Sequence, residues 1–259
     1  MLGSVGRRSV DEGSHLAQFY GADASVLIEN VAAFIDEGLR RGESALVIST
    51  PGHTDAILSA LRTSRRHRDG RSRKLVFLDA QATLDQFMCD GKPDWRRFEE
   101  VVGGTIRGLR HMRPRAALRA YGEMVGLLWA AGQVDAAVQL ENFWNLLLSQ
   151  DEFKLFCGYP VDVFADDFNI ARVHDLLCAH TQVLPGGNIA VMESALGRAI
   201  NDVLGKKIEE GSRGVDSEID PLWGDMSSAE ATILWLKKYR TAYASEILSR
   251  ARAYYRAAV

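Results

Sequence analysis

What is scarce in this chain narrows its class. Cysteine occurs three times in 259 residues, as Cys89, Cys157 and Cys178, and never as a CxxC pair. An odd number of isolated thiols excludes a disulfide framework. The apolar residues before Cys157 (Leu155-Phe156) and Cys178 (Leu176-Leu177) make these reduced, buried thiols of a cytoplasmic protein. No apolar run reaches the ~20 residues of a membrane helix, and residues 1–14 lack the apolar stretch of a secretory signal. A membrane protein or an exported one is therefore not expected. Charge of one sign is scarce in excess: the formal net charge is −3, too small to draw the chain to nucleic acid or an anionic membrane. A phosphate loop is lacking as well. The turn Ser49-Thr-Pro-Gly-His-Thr-Asp55 sits where one would lie, but such a loop needs several glycines and a lysine. This turn has one glycine and no lysine, which argues against hydrolysis though not against weak binding at a helix N-terminus.

What is present reads as α/β. Residues 1–14 are rich in Gly, Ser and charge, a flexible tail. After Asp23 as N-cap, Val26, Leu27, Val31, Phe34, Ile35 and Leu39 recur at helical spacing. Ala45-Leu-Val-Ile-Ser-Thr50 and Lys74-Leu-Val-Phe-Leu-Asp79 are continuous apolar runs, the mark of strands buried on both faces. Further strands are predicted over 115–121 and 153–157. Helices are predicted over 53–61, 95–112, 124–130, 134–148 and 168–179, with a short one near Leu84 and Phe87. Such alternation gives a parallel sheet wrapped by helices, doubly wound, over residues 15–187. Right-handed crossovers put every strand's carboxyl end on one edge. Residues 188–259 read as a helical extension. It has a polar linker over 211–220 and a capping box in which Ser227 or Ser228 meets Glu230. Its aromatics, Trp223, Trp235, Tyr239, Tyr254 and Tyr255, would suit a subunit interface or its own domain.

The most informative stretch is Arg119-Ala-Tyr-Gly-Glu-Met-Val-Gly-Leu-Leu-Trp129. A short apolar strand runs into Gly122 and then Glu123, and a helix starts at once. That delivers a carboxylate to the sheet's carboxyl edge, where ligands bind in open α/β folds. The same edge would carry Thr50, Pro51 and His53, then Asp79, and then Tyr159. Asp79 reads as a ligand carboxylate or, slightly better, as the cap of the next helix. Trp129, Phe143 and Trp144 form a core-like aromatic stripe. Glu141 beside them needs a partner if buried, and Arg119 is the candidate. The basic run Arg62–Lys74 has no aromatic to stack on bases and reads as a solvated loop. Cys157, Cys178, His174 and His180 are metal-ligand types, but their spacing is not that of a zinc site, and no metal is expected.

These motifs together resemble a known family. His15-Leu-Ala-Gln-Phe-Tyr20, Gly42-Glu43, Thr50-Pro-Gly-His53, Leu78-Asp-Ala80, Gly91-Lys-Pro-Asp94, Arg119-Ala-Tyr-Gly-Glu-Met-Val125, Leu140-Glu141 with Trp144-Asn145, Cys157-Gly-Tyr-Pro160 and Cys178-Ala-His-Thr-Gln-Val-Leu-Pro185 are similar, in order, to the MEDS domain. This is the sensory domain of methanogen and methylotroph regulators, among them a dichloromethane-responsive repressor. The resemblance implies a RecA-type fold like that of the circadian-clock ATPase KaiC, with a degenerate phosphate loop. It also implies that the domain senses a small molecule, such as a hydrocarbon derivative, and regulates an output module. It carries over as pocket positions His15, Tyr20, His53, Asp79, Tyr121, Glu123, Glu141 and Tyr159. The chain departs from the common arrangement in having no histidine-kinase region and no helix-turn-helix.

The resulting expectation is a cytoplasmic, non-catalytic sensor. A small molecule would be held at the carboxyl edge by Glu123, Tyr121 and His53, and its binding would shift the packing of the helical tail. Expected partners are that ligand, a signalling protein and a second copy of the chain, with no membrane and no direct nucleic-acid contact. No motif assigns a cofactor. Two rivals stand beside it: a nucleotide-binding protein or slow ATPase, and an enzyme using Glu123 and Asp79 as an acid–base pair.

Overall fold

The computed structural model describes residues 15–63, 75–111, 117–166, 168–205 and 226–259. The N-terminal tail, nearly all of the basic run, the polar linker and Trp223 lie outside the described residues. In chain order the elements are β1 (His15–Tyr20), α1 (Ser25–Arg40), β2 (Ser44–Ser49), α2 (Pro51–Thr63), β3 (Leu75–Asp79) and α3 (Ala80–Asp85). A hairpin of β4 (Met88–Cys89) and β5 (Lys92–Pro93) follows, then α4 (Trp95–Phe98), α5 (Gly104–His111), β6 (Leu118–Gly122), α6 (Met124–Ala130) and α7 (Val134–Gln150). β7 (Lys154–Pro160), α8 (Ile170–Ala179), β8 (Gln182–Leu184), α9 (Ile189–Leu204), α10 (Ser228–Tyr239) and α11 (Thr241–Ala258) complete the chain.

Six strands form one sheet in the order β3-β2-β6-β7-β1-β8, every neighbour parallel. Successive side chains on a strand point to opposite faces, and both faces here are apolar. Ala45, Val47, Tyr121 and Phe156 pack with Leu27, Val31, Ile35 and Ile57 under α1 and α2. Leu46, Ile48, Ala120, Leu155 and Cys157 pack on the other side with Phe98, Met124, Leu140 and Trp144. This is the doubly wound parallel sheet that the alternating pattern predicts.

Two strands of this sheet, β1 and β8, and the β4–β5 hairpin have no counterpart among the strands expected from the apolar pattern. β1 lies inside the sheet between β7 and β8, yet His15 and Gln18 interrupt its apolar run. Both are buried. Gln18 is compensated on both ends of its amide: Nε2 donates to the Pro185 carbonyl at 3.0 Å and Oε1 accepts from Asn30 at 3.1 Å. The helix predicted over 95–112 is split by a π turn at Glu99–Gly103. The apolar residues Phe98, Val102 and Ile106 recur every four positions, more than an α-turn supplies, and the wider turn keeps all three buried.

The tail packs on its own chain. Met192, Leu196 and Ala199 of α9, Ile233 and Leu234 of α10, and Ile247, Leu248 and Ala251 of α11 join the same apolar cluster as Phe168, Val173 and Val183. Trp235 is buried within it, while Tyr239 stays exposed. Ser227 caps α10, accepting from the Glu230 amide, and Glu230 also accepts from the Gly186 amide at 3.1 Å. The capping glutamate thus ties the tail to the chain just after β8.

Candidate functional site

β6 carries Glu123 to the carboxyl edge, where its amide still donates to Ile48 O on β2 at 3.0 Å. The side chain is 3% exposed. A buried carboxylate is tolerable only when donors surround it, and three do. The Thr50 amide donates to Oε2 at 2.8 Å, the Tyr121 hydroxyl to Oε1 at 2.8 Å and His53 Nδ1 to Oε1 at 2.5 Å. Tyr20 stands edge-on to the His53 ring with centroids 5.8 Å apart. Burial, followed by the Glu123 charge, pushes both tyrosine hydroxyls upward, so they remain protonated donors. Gly158 is required here: a Cβ on it would come within 2.8 Å of the Tyr121 hydroxyl oxygen.

His53 is raised above its usual 6.5, chiefly by the hydrogen bond to Glu123 and against the opposing effect of burial. The folded state therefore favours the imidazolium. That contribution is fully present below the unfolded value and fades as pH rises through the higher folded value. Denaturant midpoints should accordingly show wild type losing ground to His53→Gln as pH climbs upward from 6.5. Parallel midpoint curves for the two proteins would show that the Glu123 contact does not hold the proton. Glu123 and Tyr20 are titratable groups that face His53.

The same geometry bears on the missing phosphate loop. Thr50 immediately precedes α2, so its amide is among those a bound phosphate would use. Glu123 occupies that amide. An incoming phosphate would meet a carboxylate instead of a free donor.

Glu141 belongs to a second cluster. It lies on α7 and is fully buried, one helical turn from Asn145. Its expected partner, Arg119, is engaged elsewhere, with Glu43 at 2.6 Å and the Phe34 carbonyl at 3.0 Å. Glu141 instead meets His15 Nε2 at 3.2 Å, His180 Nε2 at 3.4 Å and the donating Tyr159 hydroxyl. Cys157 Sγ is 3.4 Å from His15 Nε2 and 3.9 Å from Glu141 Oε2. Chain pairing brings these together. Cys157 and Tyr159 are two apart on one face of β7, and Thr181 bonds the His15 backbone through both its amide and its hydroxyl, which sets His180 against the His15 ring at 4.1 Å. Burial pushes the Glu141 carboxyl up, but the charges of His180 and His15 overcome this and hold it well below the usual range. Burial and then Glu141 push the Cys157 thiol and the Tyr159 hydroxyl up. Cys178 and His174 stand apart, side by side on the exposed face of α8.

The eight positions carried over from the resemblance therefore divide. Tyr20, His53, Tyr121 and Glu123 meet at the carboxyl edge, and His15, Glu141 and Tyr159 meet in the second cluster. Asp79 joins neither. It caps α3, accepting from the Ala82 amide at 2.7 Å, and β2 separates its strand from that of Glu123. Two strand spacings of about 4.8 Å keep the pair from sharing one substrate atom as acid and base.

Beyond Tyr20 the edge opens into a cavity of about 400 Å³ between the ends of β1 and β7 and the last helix. Phe19, Val26, Val161, Val163, Phe164 and Met192 make its wall largely apolar, and Arg252, Tyr255 and Arg256 of α11 roof it. Arg252 is ion-paired with Asp162, while its Nε is buried with no hydrogen-bond partner among the described residues. The Tyr255 hydroxyl accepts from the Asn188 amide at 3.2 Å. Sequence reading missed this cavity, and missed Asp162 and Arg252, because its walls come from segments ninety residues apart with no shared motif.

The family model described as MEDS, methanogen/methylotroph, DcmR sensory domain, fits residues 14–181. No curated protein matches the chain.

Proposed function

Because this chain belongs to the MEDS family of sensory domains, we propose that it is a signalling sensor whose ligand occupies the cavity between the carboxyl edge and α11. The observation that carries this is the roof: three side chains of the last helix cover a cavity whose floor is the end of β1 at Phe19 and Tyr20 and the chain leaving β7 at Val161 and Val163. A ligand there touches the sheet and the tail at once, so occupancy is felt as a change in how α11 packs. It can bias that packing only by binding one arrangement better than the other. The volume is within the range of small-molecule sites, and an apolar wall with few polar groups is their usual lining. The partnerless Arg252 Nε calls for a hydrogen-bond acceptor on the ligand. The class is thus a small, mainly apolar molecule with one acceptor, consistent with the family's association with hydrocarbon derivatives. Tyr20 is the member of the Glu123 cluster that lines the cavity, and it stands edge-on to His53, which joins the cavity to that cluster. The missing lysine and the Thr50 amide held by Glu123 weigh against a nucleotide.

The test is thermal unfolding with a graded series of halogenated and carbonyl-bearing hydrocarbons, beginning with dichloromethane, and with magnesium ATP for comparison. A native-state ligand at 100 times its dissociation constant adds about 2.7 kcal/mol. Wild type should rise with at least one member of the series. Val26→Trp, which projects into the cavity from the half-buried first turn of α1, should not. An equal rise in both proteins would place the ligand elsewhere, and a rise with ATP alone would replace this reading with the nucleotide one.

A further inference from the structure

We propose that His15, Glu141, Cys157 and His180 form a buried, four-ligand Zn(II) site, separate from the ligand cavity. His15 opens β1 and Tyr20 closes it, so the two sites lie about 16 Å apart along that strand.

The donor atoms are already arranged for one ion. His15 Nε2, a Glu141 oxygen, Cys157 Sγ and His180 Nε2 all lie within 4.8 Å of one another. His15 Nε2 and Cys157 Sγ lie 3.2 and 3.9 Å from Glu141 Oε2, His180 Nε2 lies 3.4 Å from Oε1, and His15 Nε2 and Cys157 Sγ are 3.4 Å apart, close to the roughly 3.3–3.8 Å between ligand atoms that zinc bonds of about 2.0–2.3 Å set in a tetrahedron. The outer hydrogen bonds fix both imidazoles in the form a metal requires. His180 Nδ1 faces the Leu176 carbonyl at 2.6 Å; a carbonyl only accepts, so Nδ1 carries a proton and Nε2 is the nitrogen left to give its lone pair to an ion that displaces its proton. His15 Nδ1 lies 2.9 Å from Asn145 Oδ1, and the Asn145 amide is oriented by donating to the Ala179 carbonyl at 3.1 Å. His15 Nε2 is then likewise the nitrogen available to an ion. Such bonds behind a ligating histidine are the usual support of metal sites. His180 Nε2 is buried without a hydrogen-bond partner among the described residues, aimed at this point. Two imidazole nitrogens, one thiolate and one carboxylate suit zinc, and with Zn(II) the set is electrically neutral, as a fully buried site requires. All four positions are filled by protein, the pattern of a structural site and not a catalytic one. The ion would clamp β1, α7, β7 and the chain after α8.

The full chain is stripped with chelator, dialysed against micromolar Zn(II), and its metal content measured. A Co(II)-loaded sample is examined by absorption and a Zn(II)-loaded one by X-ray absorption. Wild type and Cys178→Ser should each hold one zinc, bonded to one sulfur and three nitrogen or oxygen atoms. The Co(II) form should show four-coordinate visible bands with thiolate charge transfer, and Cys157→Ser should lose that charge transfer. Because the spectra are read on wild type, the proposal does not depend on any variant folding. A wild type that takes up no zinc would leave a buried imidazolium–carboxylate pair and overturn the proposal. So would zinc lacking a sulfur ligand, or zinc lost in Cys178→Ser.

Discussion

Replacing Glu123 with alanine is expected to lower the unfolding free energy by about 2–4 kcal/mol, because it strands the Thr50 amide and the Tyr121 hydroxyl, each a buried donor that costs about 1–3 kcal/mol when unpaired. The carboxylate joins three elements: β6, which carries it, the start of α2 through Thr50, and His53 one turn further on. Loss of ligand response in this variant therefore cannot separate recognition from scaffolding. Glu123→Gln can. Its amide oxygen still accepts from the Thr50 amide, while the negative charge is gone. Chemical denaturation should place Gln well above Ala in stability. If alanine proves as stable as wild type, water replaces the carboxylate, and the edge is more open than the burial of Glu123 indicates.

Trp144→Ala is expected to cost about 3–5 kcal/mol, the range for emptying a buried tryptophan site. Trp144 is fully buried on α7, crosses Phe98 edge-on at 5.1 Å and lies 3.5 Å from where a Cβ on Gly122 would be. It therefore seats α7 against the very strand that delivers Glu123, and α7 also carries Glu141 and Asn145. Its indole Nε1, however, has no hydrogen-bond partner among the described residues. Trp144→Phe removes that uncompensated donor along with part of the volume, and the two effects offset. Phenylalanine should thus retain most of the stability that alanine loses, as read from denaturant midpoints. Equal losses in the two variants would mean that the indole has a water partner and that its N–H contributes to the fold.

The parts of this fold that were legible in the sequence were local. Ala45 to Ile48 and Leu75 to Leu78 are unbroken apolar runs and both are strands; the first is fully buried inside the sheet, as such a run predicts, while the second is the edge strand β3 and only half-buried, because a single neighbour, β2, pairs with it. Glu123 was legible for the same reason, since strand end, glycine, acid and helix start are consecutive. β1 was not, because Gln18 and His15 look like solvent-facing residues until Pro185, Asn30, Asn145 and Thr181 are brought to them by distant segments. The cluster around Glu141 escaped for a stronger form of that reason. His15 and His180 are separated by almost the whole domain and meet only through pairing of β1 with the chain entering β8. Cys178 and His174, close in sequence and similar in type, proved to be a surface pair on α8.

The same distance problem hid the cavity, whose roof is contributed by the last helix. The measurement that tests the central claim most directly is amide hydrogen exchange of the full chain, with and without the hydrocarbon that raises its unfolding midpoint. Binding beneath Arg252, Tyr255 and Arg256 predicts slowed exchange in α11 and at the ends of β1 and β7, with the distant β4–β5 hairpin unchanged. Exchange that slows elsewhere and leaves α11 untouched would contradict it.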